Sequence, residues 1–137
     1  MVEWRTPDVT RSDVRRVAGR EFPGRADLVL GILEEAGDPR SRLAVLRLAN
    51  GNLDRVRHLS HEACLDYRDV VGPAEHSNLY RTPNFYALPA DAQQRVLDRD
   101  WQQYQAWLKS SATRRVGWPM LLGAVMLLAL LARVLSP

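Results

Sequence analysis

Asp38-Pro39-Arg40-Ser41-Arg42-Leu43-Ala44-Val45-Leu46-Arg47-Leu48-Ala49-Asn50-Gly51-Asn52-Leu53-Asp54-Arg55-Val56 holds a helix start, a stop and a second start. Asp38 is an N-cap type and Pro39 suits the first helical position, where a missing N–H costs little. Leu43, Leu46 and Ala49 then recur at intervals of three, on one helix face. Asn50-Gly51 supplies a stop, and Asn52 caps the next helix at once. That second helix is predicted from Leu53 to about Val71, with Val56, Leu59, Ala63, Tyr67 and Val70 as its buried stripe and Gly72-Pro73 as its end. Helices marked off by such clear stops make the class all-α.

The flanks read the same way. Thr10-Arg11-Ser12-Asp13 resembles a capping box ahead of Val14, Val17 and Ala18, with Pro23-Gly24 as the stop. Residues Asp27 to Ala36 place Leu28, Val29, Ile32, Leu33 and Ala36 on one face, and Gly37 ends them. Residues 72–89, with Pro73, Pro83 and Pro89, read as a Pro-rich connector whose Leu79, Tyr80, Phe85, Tyr86 and Leu88 pack over the bundle. A long amphipathic helix follows over 89–115. Its seam is Leu97, Trp101, Tyr104 and Leu108, flanked by Val96 and Trp107. No alternating run is long enough to require a sheet.

Charge divides the chain unevenly. The formal net charge is +3. Residues 1–108 carry 15 Arg against 16 Asp+Glu, a balance of −1, whereas Lys109, Arg114, Arg115 and Arg133 face no acid at all. Arg11, Arg15, Arg16, Arg20 and Arg25 are interleaved with Asp8, Asp13, Glu21 and Asp27, so intrahelical ion pairs explain that run as well as a basic face does, and no nucleic-acid partner is expected. The preference for Arg over Lys (18 of 19 basic residues) is read as codon bias rather than as phosphate chemistry. The charged start, Met1-Val2-Glu3-Trp4-Arg5, is unlike a cleaved signal, and the single Cys64 fits a reducing compartment.

The basic excess borders an apolar run. Val116 to Ala132 contains no charge. Extended to Leu135 it reaches about 30 Å as a helix, the thickness of a bilayer's hydrocarbon core. It carries no polar stripe, unlike a helix that covers one face of a soluble core. Arg114, Arg115 and Trp118 lie at one predicted interface and Arg133 at the other. The positive-inside bias keeps the preceding domain in the cytoplasm. The expected architecture is a helical cytosolic domain over 1–88, the 89–115 helix and a transmembrane tail anchor over 116–135, in the cytoplasmic membrane. The alternative is a soluble helical adaptor with a buried C-terminal helix.

Chemical motifs are sparse. His58, His61 and Glu62 share helical spacing and form the metal-ligand candidate, the basis of an alternative reading as a metal-dependent enzyme or sensor. One helix normally supplies two ligands, and no further donor stands at a diagnostic spacing. Ser60 lacks a nucleophile elbow, and no glycine loop suits a phosphate. No catalytic residue and no cofactor are expected. Trp101, Tyr104 and Trp107 are the candidate partner contacts, because aromatic residues are enriched at interface anchors.

Leu43-Ala44-Val45-Leu46-Arg47-Leu48-Ala49-Asn50-Gly51-Asn52-Leu53-Asp54-Arg55-Val56-Arg57-His58, continuing to Asp66-Tyr67-Arg68-Asp69-Val70-Val71, resembles a pattern of small uncharacterised bacterial all-helical proteins. The resemblance covers residues 43–71 and implies a helix, an Asn-Gly break and a second helix. It implies no activity. The function expected from the whole sequence is a non-enzymatic membrane-tethered module whose partners are the lipid bilayer and a protein or membrane complex.

Overall fold

A computed structural model describes residues 1–111. The predicted span 116–135 and its interface residues Arg114, Arg115, Trp118 and Arg133 lie outside the described residues. The described residues are all-helical: α1 (Arg11–Glu21), α2 (Ala26–Leu33), a 3-10 turn (Glu34–Ala36), α3 (Pro39–Ala49), α4 (Leu53–Leu65), α5 (Arg68–Glu75), α6 (Ser77–Arg81), a second 3-10 turn (Phe85–Ala87) and α7 (Ala90–Lys109). None of these helices is long and apolar enough to cross a membrane.

The caps set the boundaries. Thr10 Oγ1 accepts from the Asp13 N–H at 3.3 Å while the Asp13 carboxylate accepts from the Thr10 N–H at 2.9 Å, a reciprocal box that satisfies two donors at the helix start. Asp38 accepts from the Ser41 N–H at 2.9 Å. α3 ends on Asn50, left-handed at φ 54°, and Asn52 then accepts from the Arg55 N–H at 3.1 Å. Gly37 follows the first 3-10 turn at φ 84°, ψ −116°, a conformation that a Cβ would strain.

The core is built where α1, α2, α3, α4 and α5 meet, from Val17, Val29, Leu33, Leu43, Leu46, Val56 and Val70, with Tyr104 and Leu108 contributed by α7. α3 lies at its centre, packed on α1, α4 and α5, and its Leu43, Ala44, Val45 and Leu46 are all buried. Such a run, buried around most of its circumference, marks a central helix rather than an amphipathic surface one.

Several expectations change. The helix predicted from Leu53 to Val71 is broken at Asp66, which adopts φ −148°, ψ 105°. Its carboxylate accepts from the Arg68 N–H at 3.0 Å and from the Arg68 guanidinium, so Asp66 opens a new helix. The change of direction turns Tyr67, read as part of the buried stripe, outward to 53% exposure. The region 72–89, read as a connector, holds the end of α5, all of α6 and a 3-10 turn. Gly72 and Pro73 lie inside α5, where Pro73 lacks only the one N–H that would have bonded to the residue 69 carbonyl. Of its apolar residues Phe85 is buried, while Tyr80 and Tyr86 are exposed; Leu28, assigned to the buried face of 27–36, is also exposed.

Candidate functional site

The long helix α7 is described to Lys109, and Ser110 leaves it at φ −57°, ψ 132°. Helix ends carry unsatisfied carbonyls and partial negative charge, which cations stabilise. Here α1 supplies two. Arg20 Nη1 donates to the Trp107 and Ser110 carbonyls, both at 2.7 Å, and Arg16 Nη1 donates to the Leu108 carbonyl at 2.6 Å. Arg20 is only 6% exposed. Its other guanidinium nitrogens donate to Glu21, at 3.0 and 2.8 Å, and it lies 5.3 Å over the Trp107 ring. Ser110 and Ser111, the last described residues, are therefore held at a fixed point, bordered by Arg16, Arg20 and Lys109.

The opposite end of α7 is held by the residues ahead of α1. The Glu3 N–H donates to Gln94 Oε1 at 2.8 Å, and Arg5 approaches Asp98 at 3.5 Å. Trp4 meets His76 edge-on at 5.4 Å and Phe85 at 6.4 Å. Beneath this strap lies a cleft lined by Glu75, His76, Trp101 and Tyr104 among others, with an enclosed volume of about 10 Å³, room for roughly one water. A substrate-sized ligand does not fit there.

The polar residues below the strap are structural. Glu75, 4% exposed, accepts two bonds of 2.6 Å from Arg40, the bidentate geometry of guanidinium and carboxylate. The hydrogen bond to Glu75 raises the Arg40 pKa above its ordinary value. Asp100, 1% exposed, accepts from the Asn78 N–H and Asn78 Nδ2, both at 2.7 Å, and from the Leu79 N–H at 3.1 Å. Burial lowers the His76 pKa and raises that of Tyr104, so the imidazole favours its neutral form and the phenol keeps its proton. The guanidinium of Arg47 lies 5.0 Å over the Tyr104 ring and 5.5 Å over Trp107; its burial lowers its pKa.

The sequence candidates scatter over this frame. His58 Nε2 lies 3.3 Å from Glu62, but His61 Nδ1 lies 3.0 Å from Glu35, across on the first 3-10 turn. The two imidazoles serve different carboxylates, and no group of three or more His, Cys, Asp and Glu is placed to hold a metal among the described residues. Cys64 is exposed, and Ser60 is buried without a hydrogen-bond partner among the described residues. Of the three aromatic candidates, Tyr104 is a core residue at 1% exposure, Trp107 packs against the core under two guanidiniums, and Trp101 lines the cleft below the strap. Sequence reasoning missed Asp100 and Glu75. A carboxylate at the edge of an apolar seam was the signal for Asp100, which sits between Leu97 and Tyr104. Compared with family models, curated proteins and solved structures, the chain matches none.

Proposed function

We propose that this protein is a non-enzymatic, membrane-tethered interaction module. Its helical domain is held at the cytoplasmic face of the membrane by a span over 116–135 and works by presenting that domain to a protein partner or membrane complex. The observation that carries this reading is the uncharged run Val116–Ala132 directly behind Lys109, Arg114 and Arg115, beside a domain whose own balance is −1. Two features of the domain support it. Its helices pack one continuous core among themselves, which leaves a helix that is apolar all round better served by lipid than by so small a bundle. The clamp of Arg16 and Arg20 on the end of α7 gives the following segment a defined starting point. Tethering raises the effective concentration of the domain toward anything else on the same surface, so individually weak contacts suffice.

Fractionation tests the proposal. The full chain is expected in the membrane pellet and to stay there through an alkaline carbonate wash, while residues 1–111 alone are expected in the supernatant as a folded helical domain. Recovery of the full chain in the soluble fraction without detergent overturns the tether. Unfolding of the 1–111 fragment overturns it as well, since the segment beyond would then be core.

A further inference from the structure

Arg11 and Arg15 stand one turn apart on α1, and with Arg42 of α3 they line a groove of about 390 Å³ that also touches Val14, Leu30 and Glu34. The volume lies within the range of about 300–1,000 Å³ typical of small-ligand sites. Their neighbours on α1 behave differently: Arg16 pairs with Asp13 at 2.8 Å and Arg20 with Glu21 at 2.8 Å. Arg11, Arg15 and Arg42 make no side-chain ion pair or hydrogen bond with the described residues. The Arg42 Nε–H is moreover buried with no acceptor among the described residues, a state that costs free energy. Three guanidiniums against the single Glu34 carboxylate leave the groove with two uncompensated positive charges. Gathering like charges is unfavourable in the empty protein, and an anion between them reverses the sign.

We infer that this groove binds a phosphate monoester. Such a group carries about −1.5 to −2 at neutral pH and offers three acceptor oxygens. That charge matches the groove's excess, and the oxygens match guanidinium forks arriving from two helices. A carboxylate brings one charge and two oxygens, which leaves the groove half neutralised. Val14 and Leu30 give the organic part of the ester an apolar contact. The site takes a soluble phosphomonoester or the monoester headgroup of an anionic lipid by the same chemistry, and it stands whether or not the 116–135 segment spans a membrane.

The test uses the full chain in phosphatidylcholine nanodiscs, with the arginine Nε–H resonances followed by NMR as inorganic phosphate or phenyl phosphate is added at pH 8. Saturable shifts are expected at Arg11, Arg15 and Arg42, with Arg55 and Arg99 unmoved. Arg42→Gln is expected to weaken binding about tenfold, the loss of one charge-assisted contact, and Arg55→Gln to leave it unchanged. Glu34→Gln removes the one carboxylate among the groove's described lining residues and is expected to tighten binding several-fold. That gain cannot arise from misfolding. Nanodiscs containing phosphatidic acid separate the sources: shifts at the three arginines without added phosphate assign a lipid headgroup, and shifts only with added phosphate assign a soluble ester. Non-saturable shifts equal to those at Arg55 and Arg99, or affinity unchanged in both Arg42→Gln and Glu34→Gln, overturn the site.

Discussion

Replacing Arg20 by alanine tests whether the exit from α7 is held or merely adjacent to α1. The guanidinium donates two hydrogen bonds of 2.7 Å to the Trp107 and Ser110 carbonyls. Hydrogen bonds from a charged donor contribute roughly 1.5–3 kcal/mol each. Both acceptors sit at a helix end where water replaces the lost donor, so the lower figure applies to each, about 3 kcal/mol together. The lost contact with the Trp107 ring, 5.3 Å away, adds about 0.5–1 kcal/mol. Arg20→Ala is therefore expected to destabilise the domain by about 3–4 kcal/mol. Arg20→Lys keeps the charge without the fork and is expected to cost about 1–2 kcal/mol. Urea unfolding of the full chain in mild detergent, followed by helix circular dichroism, gives the global figure. Hydrogen exchange at the Lys109 and Ser110 amides gives the local one, and it is expected to accelerate more than the global loss explains. Stability within about 0.5 kcal/mol of the parent, the level of an ordinary surface substitution, together with unchanged exchange in the last turn of α7, would refute the clamp.

Three further outcomes follow from the ionisable side chains. Arg40→Met strands Glu75 at 4% exposure and is expected to cost about 2–3 kcal/mol, less than a fully buried pair because the Arg40 side chain is 34% exposed; Arg40→Met/Glu75→Leu together is expected within about 1 kcal/mol of the parent, and a double-mutant cycle in urea checks the coupling. Asp100→Ala leaves two N–H groups at the start of α6 without their acceptor and the Asn78 amide with Gln103 alone, so a loss of about 2–3 kcal/mol in thermal or urea unfolding is expected, and a change below about 1 kcal/mol would contradict the cap. The folded-state pKa of His76 lies below its ordinary 6.5 because of burial, and those of Asp13, Asp66 and Asp91 lie below 3.8 through hydrogen bonds to Arg16, Arg68 and Arg95, Asp66 at about 2. The unfolded chain binds more protons in both windows, so stability is full above about pH 7 and declines as pH falls below 6.5 and again below 3.8. In a series of urea midpoints from pH 8 to 3, His76→Gln is expected to remove the first decline and leave the second.

Legibility in the sequence followed the range of the interaction. Thr10 with Asp13, Asp38 with Pro39, and Asn50-Gly51-Asn52 are local devices whose partners lie within three residues, and each marks a helix boundary in the fold. The break at Asp66 is local too, but an unbroken apolar period from Val56 to Val70 masked it. Gly72-Pro73 looked like a stronger stop than it is, because a proline deep in a short helix removes a single hydrogen bond. His58, His61 and Glu62 share helical spacing, yet spacing along one helix says nothing of Glu35 on another element, which takes His61. The pairs that organise the site were beyond local pattern altogether. Arg20 and the Trp107 carbonyl are 87 residues apart, and Arg40 and Glu75 are 35 apart.

Arg40 with Glu75 joins α3 to α5, but most of the other long-range polar contacts converge on α7. The strap ahead of α1 holds Gln94 and Asp98 near its start, Asn78 and Leu79 of α6 donate to Asp100 at its middle, and Arg16 and Arg20 hold its last carbonyls. A twenty-residue helix needing only to fill a core would be anchored by its apolar seam, Leu97, Tyr104 and Leu108. Polar fastening at the start, middle and end does something apolar packing does poorly: directional hydrogen bonds fix rotation and sliding along the axis, whereas apolar contacts tolerate small shifts of either. Because Arg20 also binds the Ser110 carbonyl, that constraint reaches past the helix to the residue that follows it. A domain tethered at that point would be held at a set angle to the bilayer, and the groove of Arg11, Arg15 and Arg42, sharing α1 with the clamp, would keep a constant bearing to the same surface. Loosening the clamp with Arg20→Ala should thus disturb the domain's orientation on a nanodisc, measurable by paramagnetic relaxation from lipid-attached labels, before it disturbs phosphate affinity at the groove.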